Sequence, residues 1–269
     1  MQKFKRKERV AAMMNILTGE PNKLFSYHYF MERFNAAKST ISEDVQSLKE
    51  VADMLDLGRV ETVSGAAGGV RYFAEISKEK RNEFLKDFRL KLLQQERQLS
   101  GGFIYLNDLL FNPDYAETIG KIFATHFRET KADCLLTTET KGIPIALMTA
   151  KHLNIPLMIL RRNIKISDGP TVNINYLSGS TNRIQTMSLA KKSLKENTRV
   201  LIIDDFMRAG GTAKGMVDMV QEFNSEVCGM GILISTELPE KKLVDNFSTL
   251  LTLVTDKSEK LGINLIVND

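Results

Sequence analysis

Apolar residues recur at helical spacing through Val10, Met13, Met14 and Leu17, and Gly19 with Pro21 stops the run, which predicts a first helix. A second, short helix is expected from near Ser26, with Tyr27, Phe30, Met31 and Phe34 on its apolar side. Thr40-Ile-Ser-Glu43 has the form of a capping box, hydroxyl at the N-cap and Glu three residues on. It opens a third helix whose buried stripe is Ile41, Val45, Leu48, Ala52 and Leu55. The period then changes to that of strands, Val60–Val63 and Val70–Phe73, joined by the small residues Ser64–Gly69 as a hairpin.

Residues 77–98 are highly charged, but Phe84, Phe88 and Leu92 fall at four-residue steps with Leu85 adjoining. This is the pattern of an amphipathic linker helix with a solvated face, ended by Ser100-Gly-Gly102. From there helices and strands alternate: a helix over Ala116–Phe127, a strand over Cys134–Thr138, a helix over Ile143–Leu153 and a strand over Pro156–Leu160. After an apolar run at Val200–Ile203 come a strand over Val227–Ser235, a short helix over Lys241–Asn246 and a final strand over Leu250–Val254. Alternation of this kind predicts an α/β fold with a doubly wound parallel sheet. The chain therefore divides into residues 1–74, a linker helix over 75–100 and a larger domain over 101–269.

Composition adds limits. A hydrophobic fraction of 43% in 269 residues is that of a core-forming globular chain. The charged opening is followed by no continuous apolar stretch, and no run is long enough to span a bilayer, so a cytoplasmic protein with no membrane partner is expected. Cys134 and Cys228 sit in apolar runs as buried thiols do, and His28, His126 and His152 are scattered, so no metal site is expected. Net charge is +4, and its distribution matters more. Lys3, Lys5, Arg6, Lys7 and Arg9 against Glu8 concentrate the whole excess in the first nine residues, leaving 32 basic and 32 acidic residues of the total 37 and 33 in the rest. A basic arm on a neutral body suits a phosphate backbone, and it is also the composition of a solvated terminus.

The candidate chemistry lies in Val200–Met216, VLIIDDFMRAGGTAKGM. An apolar strand ends in Asp204 and Asp205, and Arg208, Ala209, Gly210, Gly211 and Thr212 lead into a helix. Carboxylates accept hydrogen bonds from vicinal hydroxyls, whereas free N–H groups and the dipole at a helix N-terminus suit a phosphate. Neither a Walker A ending nor Gly-x-Gly-x-x-Gly spacing is present. The stretch resembles the 5-phosphoribosyl-1-pyrophosphate (PRPP) motif of type I phosphoribosyltransferases. The resemblance implies that the paired acids hold the ribose hydroxyls and the Ala209–Thr212 loop the 5′-phosphate. Arg208, a basic residue inside that loop, is a candidate for an extra phosphate contact and reads equally as a solvent-facing side chain. A second loop, Thr140, Lys141 and Gly142 after the strand at 134–138, matches the pyrophosphate loop of that fold. Between the two loops lies Arg161–Ser188, a long polar insertion with Arg161, Arg162, Lys165 and Arg183, an Asp168-Gly-Pro turn and a hairpin around Ser178-Gly-Ser180. The family resemblance makes it an arm over bound PRPP; by itself it reads equally as a surface hairpin.

Three short helices and a hairpin resemble a winged helix-turn-helix, which would set the third helix in the DNA major groove. Lys38, Ser39, Thr40 and Ser42 on that helix, Arg71 in the hairpin, and Lys3, Lys5, Arg6 and Lys7 in the arm are then the DNA-contacting candidates. Small bundles of this shape also serve as protein-interaction or dimerisation modules. Taken together, the two halves resemble the PurR family of purine operon regulators of Gram-positive bacteria. The likeness spans essentially the whole chain and includes Ile41-Ser-Glu-Asp44, Gly65-Ala-Ala-Gly-Gly-Val70, Thr140-Lys-Gly-Ile-Pro144, Asn175-Tyr176, Asn182-Arg-Ile-Gln-Thr-Met-Ser-Leu-Ala190 and Ile202-Ile-Asp-Asp-Phe-Met207. It implies a non-enzymatic homodimer that binds double-stranded DNA upstream of purine genes and takes PRPP as effector, with Mg²⁺ accompanying the bound PRPP. The competing expectation is an active phosphoribosyltransferase acting on a purine or related base, since holding PRPP and reacting it need the same residues. Repression and activation are not distinguished by the sequence.

Overall fold

The computed structural model describes residues 4–65, 68–99, 103–162, 169–178, 183–255 and 263–268. It falls into two compact units, Met1–Lys78 together with Lys151–Asn154, and Glu79–Ala150 with Ile155–Asp269. Among the described residues no helix is long and apolar enough to cross a membrane.

In the first unit, α1 (Arg6–Gly19) buries Met13 and Leu17. The two-residue β1 (Phe25–Ser26) leads into α2 (Tyr27–Phe34), whose N-cap Ser26 accepts a hydrogen bond from the Tyr29 N–H (3.1 Å). Asn35, in the left-handed conformation, ends α2, and α3 runs from Lys38 to Leu55. The expected cap at Thr40 is not formed: the N-cap is Ala37, and Thr40 lies within the first turn. The Ile41 N–H already donates to the Ala37 carbonyl (3.1 Å), so the short link after α2 starts the helix before the Thr40 hydroxyl can cap it. Strands β2 (Arg59–Val63) and β3 (Gly69–Phe73) form the expected hairpin, and β1, unseen in the sequence pattern, adds to it antiparallel through Phe25↔Val70. The sheet order is β1-β3-β2. Phe30, Phe34, Ile41, Val45, Leu48, Val60 and Val70 make the core.

Asp44 on α3 is buried at 1% exposure, a costly position for an unpaired charge. Arg9 answers it with two guanidinium hydrogen bonds, at 2.6 and 3.2 Å, and Arg6 stands 3.6 Å away. The fork pins α1 to α3 with the geometry that favours arginine over lysine.

The second unit opens with α4 (Lys78–Leu92), which buries Leu85, Phe88 and Leu92. The helix expected over 77–98 ends at Leu92; beyond it β4 (Gln98–Leu99) pairs with β5 (Phe103–Ile104), and the expected stop at Ser100–Gly102 lies outside the described residues. Next come α5 (Asn107–Leu110), α6 (Pro113–Phe127), β6 (Cys134–Thr138), α7 (Gly142–Leu153) and β7 (Leu157–Leu160). A hairpin of β8 (Thr171–Ser178) and β9 (Arg183–Ala190) precedes β10 (Arg199–Met207), α8 (Gly211–Glu222), β11 (Glu226–Thr236), β12 (Ser248–Thr255) and β13 (Ile263–Val267).

The main sheet has the order β13-β12-β11-β10-β6-β7. It is parallel except for β13, an antiparallel edge strand beyond the strand expected to be last. Alternate residues of β10 face opposite layers. Val200 and Ile202 join Met216, Met219 and Val220 of α8 with Tyr176, Met187 and Leu189 of the hairpin. On the other face Phe123 and Phe127 of α6 fit over Gly229 and Gly231, beside Leu201 and Ile203. Cys134 is buried in the sheet, and burial pushes its thiol up to about 12, which makes it an inert hydrophobe.

The helix expected over Lys241–Asn246 is absent. The segment is irregular, and its Leu243 N–H donates to the Ala209 carbonyl (2.9 Å), a tertiary partner in place of a helical one. Gly120 of α6 sits directly on α7: a Cβ there would come 2.5 Å from Met148 Cβ and 2.9 Å from the Thr149 nitrogen. Backbone cannot yield as a side-chain end can, so Gly120→Ala is expected to cost about 1–3 kcal/mol of stability, read by denaturant unfolding.

Candidate functional site

The C-terminal ends of β6 and β10 open into a cavity of about 580 Å³. This is where ligands of open parallel sheets bind, because the loops there leave the sheet in diverging directions. Asp204, Asp205, Arg208, Ala209, Gly210, Gly211, Thr212, Thr140 and Lys141 all line it, and Gly142 lies immediately behind. Residues separated by some sixty positions are thus brought to one concave surface.

Asp204 is 4% exposed and accepts a hydrogen bond from Thr138 Oγ1 (3.2 Å). Burial raises its pKa well above the usual carboxylate range, and the charge of Asp205 adds to the rise. Asp205 is raised by burial too, with Lys141 pulling in the opposite direction. Asp204, buried, and its half-buried neighbour Asp205 therefore resist simultaneous ionisation. A Cβ at Gly142 would fall 2.6 Å from Asp204 Oδ1 and would also strike Thr137 Oγ1, so only glycine lets the start of α7 pass this close to the acid.

Opposite, Gly210 is the N-cap of α8 with φ +86°, and no side chain caps the helix. The first N–H groups of α8 are therefore available at the end where its dipole is positive. Any side chain at Gly210 would be strained by this φ. The third wall is the turn Glu139-Thr140-Lys141, whose Glu139–Thr140 peptide is cis. The Arg162 N–H donates to Glu139 Oε1 (2.7 Å), which brings Arg162 to the cavity lining. Ile104, Leu106 and Phe111, with Asn107, form a fourth, largely apolar wall that sequence reading did not assign. Neither periodicity nor a motif marks that stretch. Among the described residues no group of three or more His, Cys, Asp or Glu side chains could hold a metal ion.

The DNA-contacting candidates fall differently. Lys5, Lys7, Lys38, Ser39 and Ser42 are exposed, and Thr40 is half-buried. Arg6 donates to Ser47 Oγ (2.7 Å) beside Asp44, so part of its capacity serves the α1–α3 junction, though its side chain stays 62% exposed. Arg71 is half-buried with its guanidinium 5.3 Å from the Phe73 ring centre. Lys3, Lys165, Asp168 and the Gly179–Asn182 stretch lie outside the described residues. The described part of the 161–188 insertion comprises Arg161, Arg162 and, after Gly169-Pro170, the β8–β9 hairpin, paired from Thr171↔Ala190 to Ser178↔Arg183, with one face in the core.

Residues 5–74 match the family described as bacterial purine repressor, N-terminal, and residues 106–260 match the phosphoribosyl transferase domain. Over its length the chain is similar to the purine biosynthesis transcriptional repressor PurR of Bacillus subtilis, 44% identical over 98% of this chain and 92% of that protein. It is also similar to the purine biosynthesis transcriptional activator PurR of Lactococcus lactis, 36% identical over 99% of this chain and 100% of that one. Among solved structures, adenine phosphoribosyltransferase of Saccharomyces cerevisiae shares the fold, with a TM-score of 0.55 at 19% identity over 62% of this chain and 98% of that one.

The raised acids have a consequence for stability. A carboxyl whose folded pKa lies above its unfolded value favours the folded state at low pH, and that contribution is lost as pH rises from the ordinary carboxylate range through the folded pKa. Asp204→Asn is therefore expected to melt above the unaltered protein at neutral pH without ligand, the difference closing towards acid pH. Thermal melts across pH check this, and a lower melting temperature for the variant at neutral pH contradicts it.

Proposed function

The chain belongs to the PurR family of purine biosynthesis transcriptional regulators, and from that premise we propose that it senses PRPP in the cavity of its second unit without transferring the ribose phosphate. One observation carries the reading: a buried carboxylate, Asp204, with half-buried Asp205 beside it, a lysine and an uncapped helix N-terminus face one cavity. PRPP presents the complementary set, a diol between a phosphomonoester and a diphosphate. Asp204 and Asp205 accept hydrogen bonds from the ribose hydroxyls, the Ala209–Thr212 backbone with Arg208 takes the 5′-phosphate, and Thr140, Lys141 and Gly142 take the diphosphate. Magnesium fits as a companion of the ligand, its oxygens coming from the diphosphate and water, because among the described residues no group of three or more His, Cys, Asp or Glu forms a cage for it.

The first unit binds double-stranded DNA upstream of purine genes, with α3 in the major groove, the β2–β3 hairpin and Arg71 alongside, and the basic arm on the phosphates. The active form is a homodimer in the cytoplasm. Relatives include a named repressor and a named activator, so the sign of control follows from operator position rather than from the site. A ligand moves the DNA equilibrium only through its differential affinity for the free and DNA-bound protein.

Three measurements test this. Binding to purine-gene upstream DNA, at fixed salt, is expected to change with PRPP in the unaltered protein, whereas Asp204→Ala binds the DNA normally and ignores PRPP; a variant that still responds sinks the assignment. Lys7→Ala is expected to weaken binding across DNA sequences and to reduce the slope of log affinity against log salt by about one. With PRPP, Mg²⁺ and each purine base, no base-dependent release of pyrophosphate is expected; rapid release makes the protein an enzyme.

A further inference from the structure

The segment after β11 braces the phosphate-facing loop from outside the cavity. Thr236, at the end of β11, has its Oγ1 3.3 Å from the Arg208 carbonyl and 2.6 Å from the Leu238 carbonyl. The Leu243 N–H donates to the Ala209 carbonyl at 2.9 Å. Lys242 Nζ closes the brace by donating to the Thr236 carbonyl (2.6 Å) and standing 3.3 Å from Thr236 Oγ1. Neither Thr236 nor Lys242 lines the cavity.

Peptide geometry gives this brace a purpose. In a planar trans peptide the C=O and N–H point in opposite directions. The carbonyl of Arg208 shares its peptide with the N–H of Ala209, and the carbonyl of Ala209 shares its peptide with the N–H of Gly210. The Ala209 carbonyl, held by the Leu243 N–H, and the Arg208 carbonyl, turned to a Thr236 hydroxyl that it shares with the nearer Leu238 carbonyl, leave the N–H groups of Gly210 and Ala209 facing away from the brace, on residues that line the cavity. Among the described residues both partners of the Lys242 ammonium are neutral oxygens, and burial lowers its pKa. The two 3.3 Å steps put that charge within about 7 Å of the loop backbone.

We propose that Thr236 and Lys242 are positioning residues for the phosphomonoester end of the cavity, holding the Arg208–Gly210 backbone with its N–H groups turned to the ligand. The proposal rests on the reading of the cavity as a PRPP site. Because the diphosphate loop at Thr140–Gly142 is a separate segment, loss of the brace acts on one end of the ligand only.

The test is calorimetric titration of the full-length protein with ribose 5-phosphate and, separately, with pyrophosphate. Lys242→Met and Thr236→Val are each expected to weaken ribose 5-phosphate binding about tenfold, the scale of a charge-assisted hydrogen bond, and to leave pyrophosphate within about twofold. Lys242→Arg keeps charge and donor and is expected within about threefold of the unaltered protein. Equal losses for both ligands, no loss for either, or an arginine variant as weak as the methionine one overturns the positioning role alone. An unaltered protein that binds neither ligand overturns the PRPP reading and this proposal with it.

Discussion

Two adjacent carboxylates at the end of a buried central strand are the constraint around which the second unit is arranged. Asp204 and Asp205 leave water on folding, and the low-dielectric surroundings turn their proximity into repulsion that a surface pair would not feel. Nothing in the sheet core requires them there, since apolar residues would extend β10 at less cost. Their neighbours only moderate the penalty: Thr138 gives one hydrogen bond, and Lys141 opposes the shift of one acid. In the proposed reading, the hydroxyl donors of a bound sugar phosphate offset part of this penalty, so that the site trades stability for affinity.

The surrounding backbone is fitted closely to that pair. Gly142 lets α7 begin in contact with Asp204, and the packing of α7 on α6 at Gly120 fixes where that helix start lies. Gly210, in a left-handed conformation, turns the chain from β10 into α8 so that strand end and helix N-terminus face one space. Behind the turn, the irregular segment after β11 fastens the loop carbonyls. Rigid elements on both sides mean the site is shaped before ligand arrives, which limits the ordering cost of binding.

The first unit obeys the same electrostatic rule with the opposite outcome. Asp44 is as buried as Asp204, but Arg9 meets it with a two-pronged hydrogen bond, so that acid is structural. Its demand draws Arg9, and part of Arg6, away from the arm's outward-facing charge. Among the proposed DNA-contacting residues, Lys5, Lys7 and Lys38, with the hydroxyls of Ser39 and Ser42, stay exposed.

The sequence by itself determined what depends on neighbours a few residues apart. The stripe from Ile41 to Ala52, the apolar run of β10, the alternation of helices and strands, and the acid–glycine order of residues 204–212 are all readable because helix and strand periods are local. Most of the proposed ligand site was legible for that reason, since it lies on two contiguous loops. Tertiary structure decided the rest. Thr40 looks like a cap in isolation, but the link from α2 starts α3 at Lys38. Lys241–Asn246 has helical composition, but Ala209, more than thirty residues earlier, takes its backbone hydrogen bond. Ile104, Leu106 and Phe111 reach the cavity, and β13 the sheet edge, only through partners distant in the chain. Long-range pairing carries no local period, so the brace behind the loop and the apolar wall before it become visible only when the chain is folded.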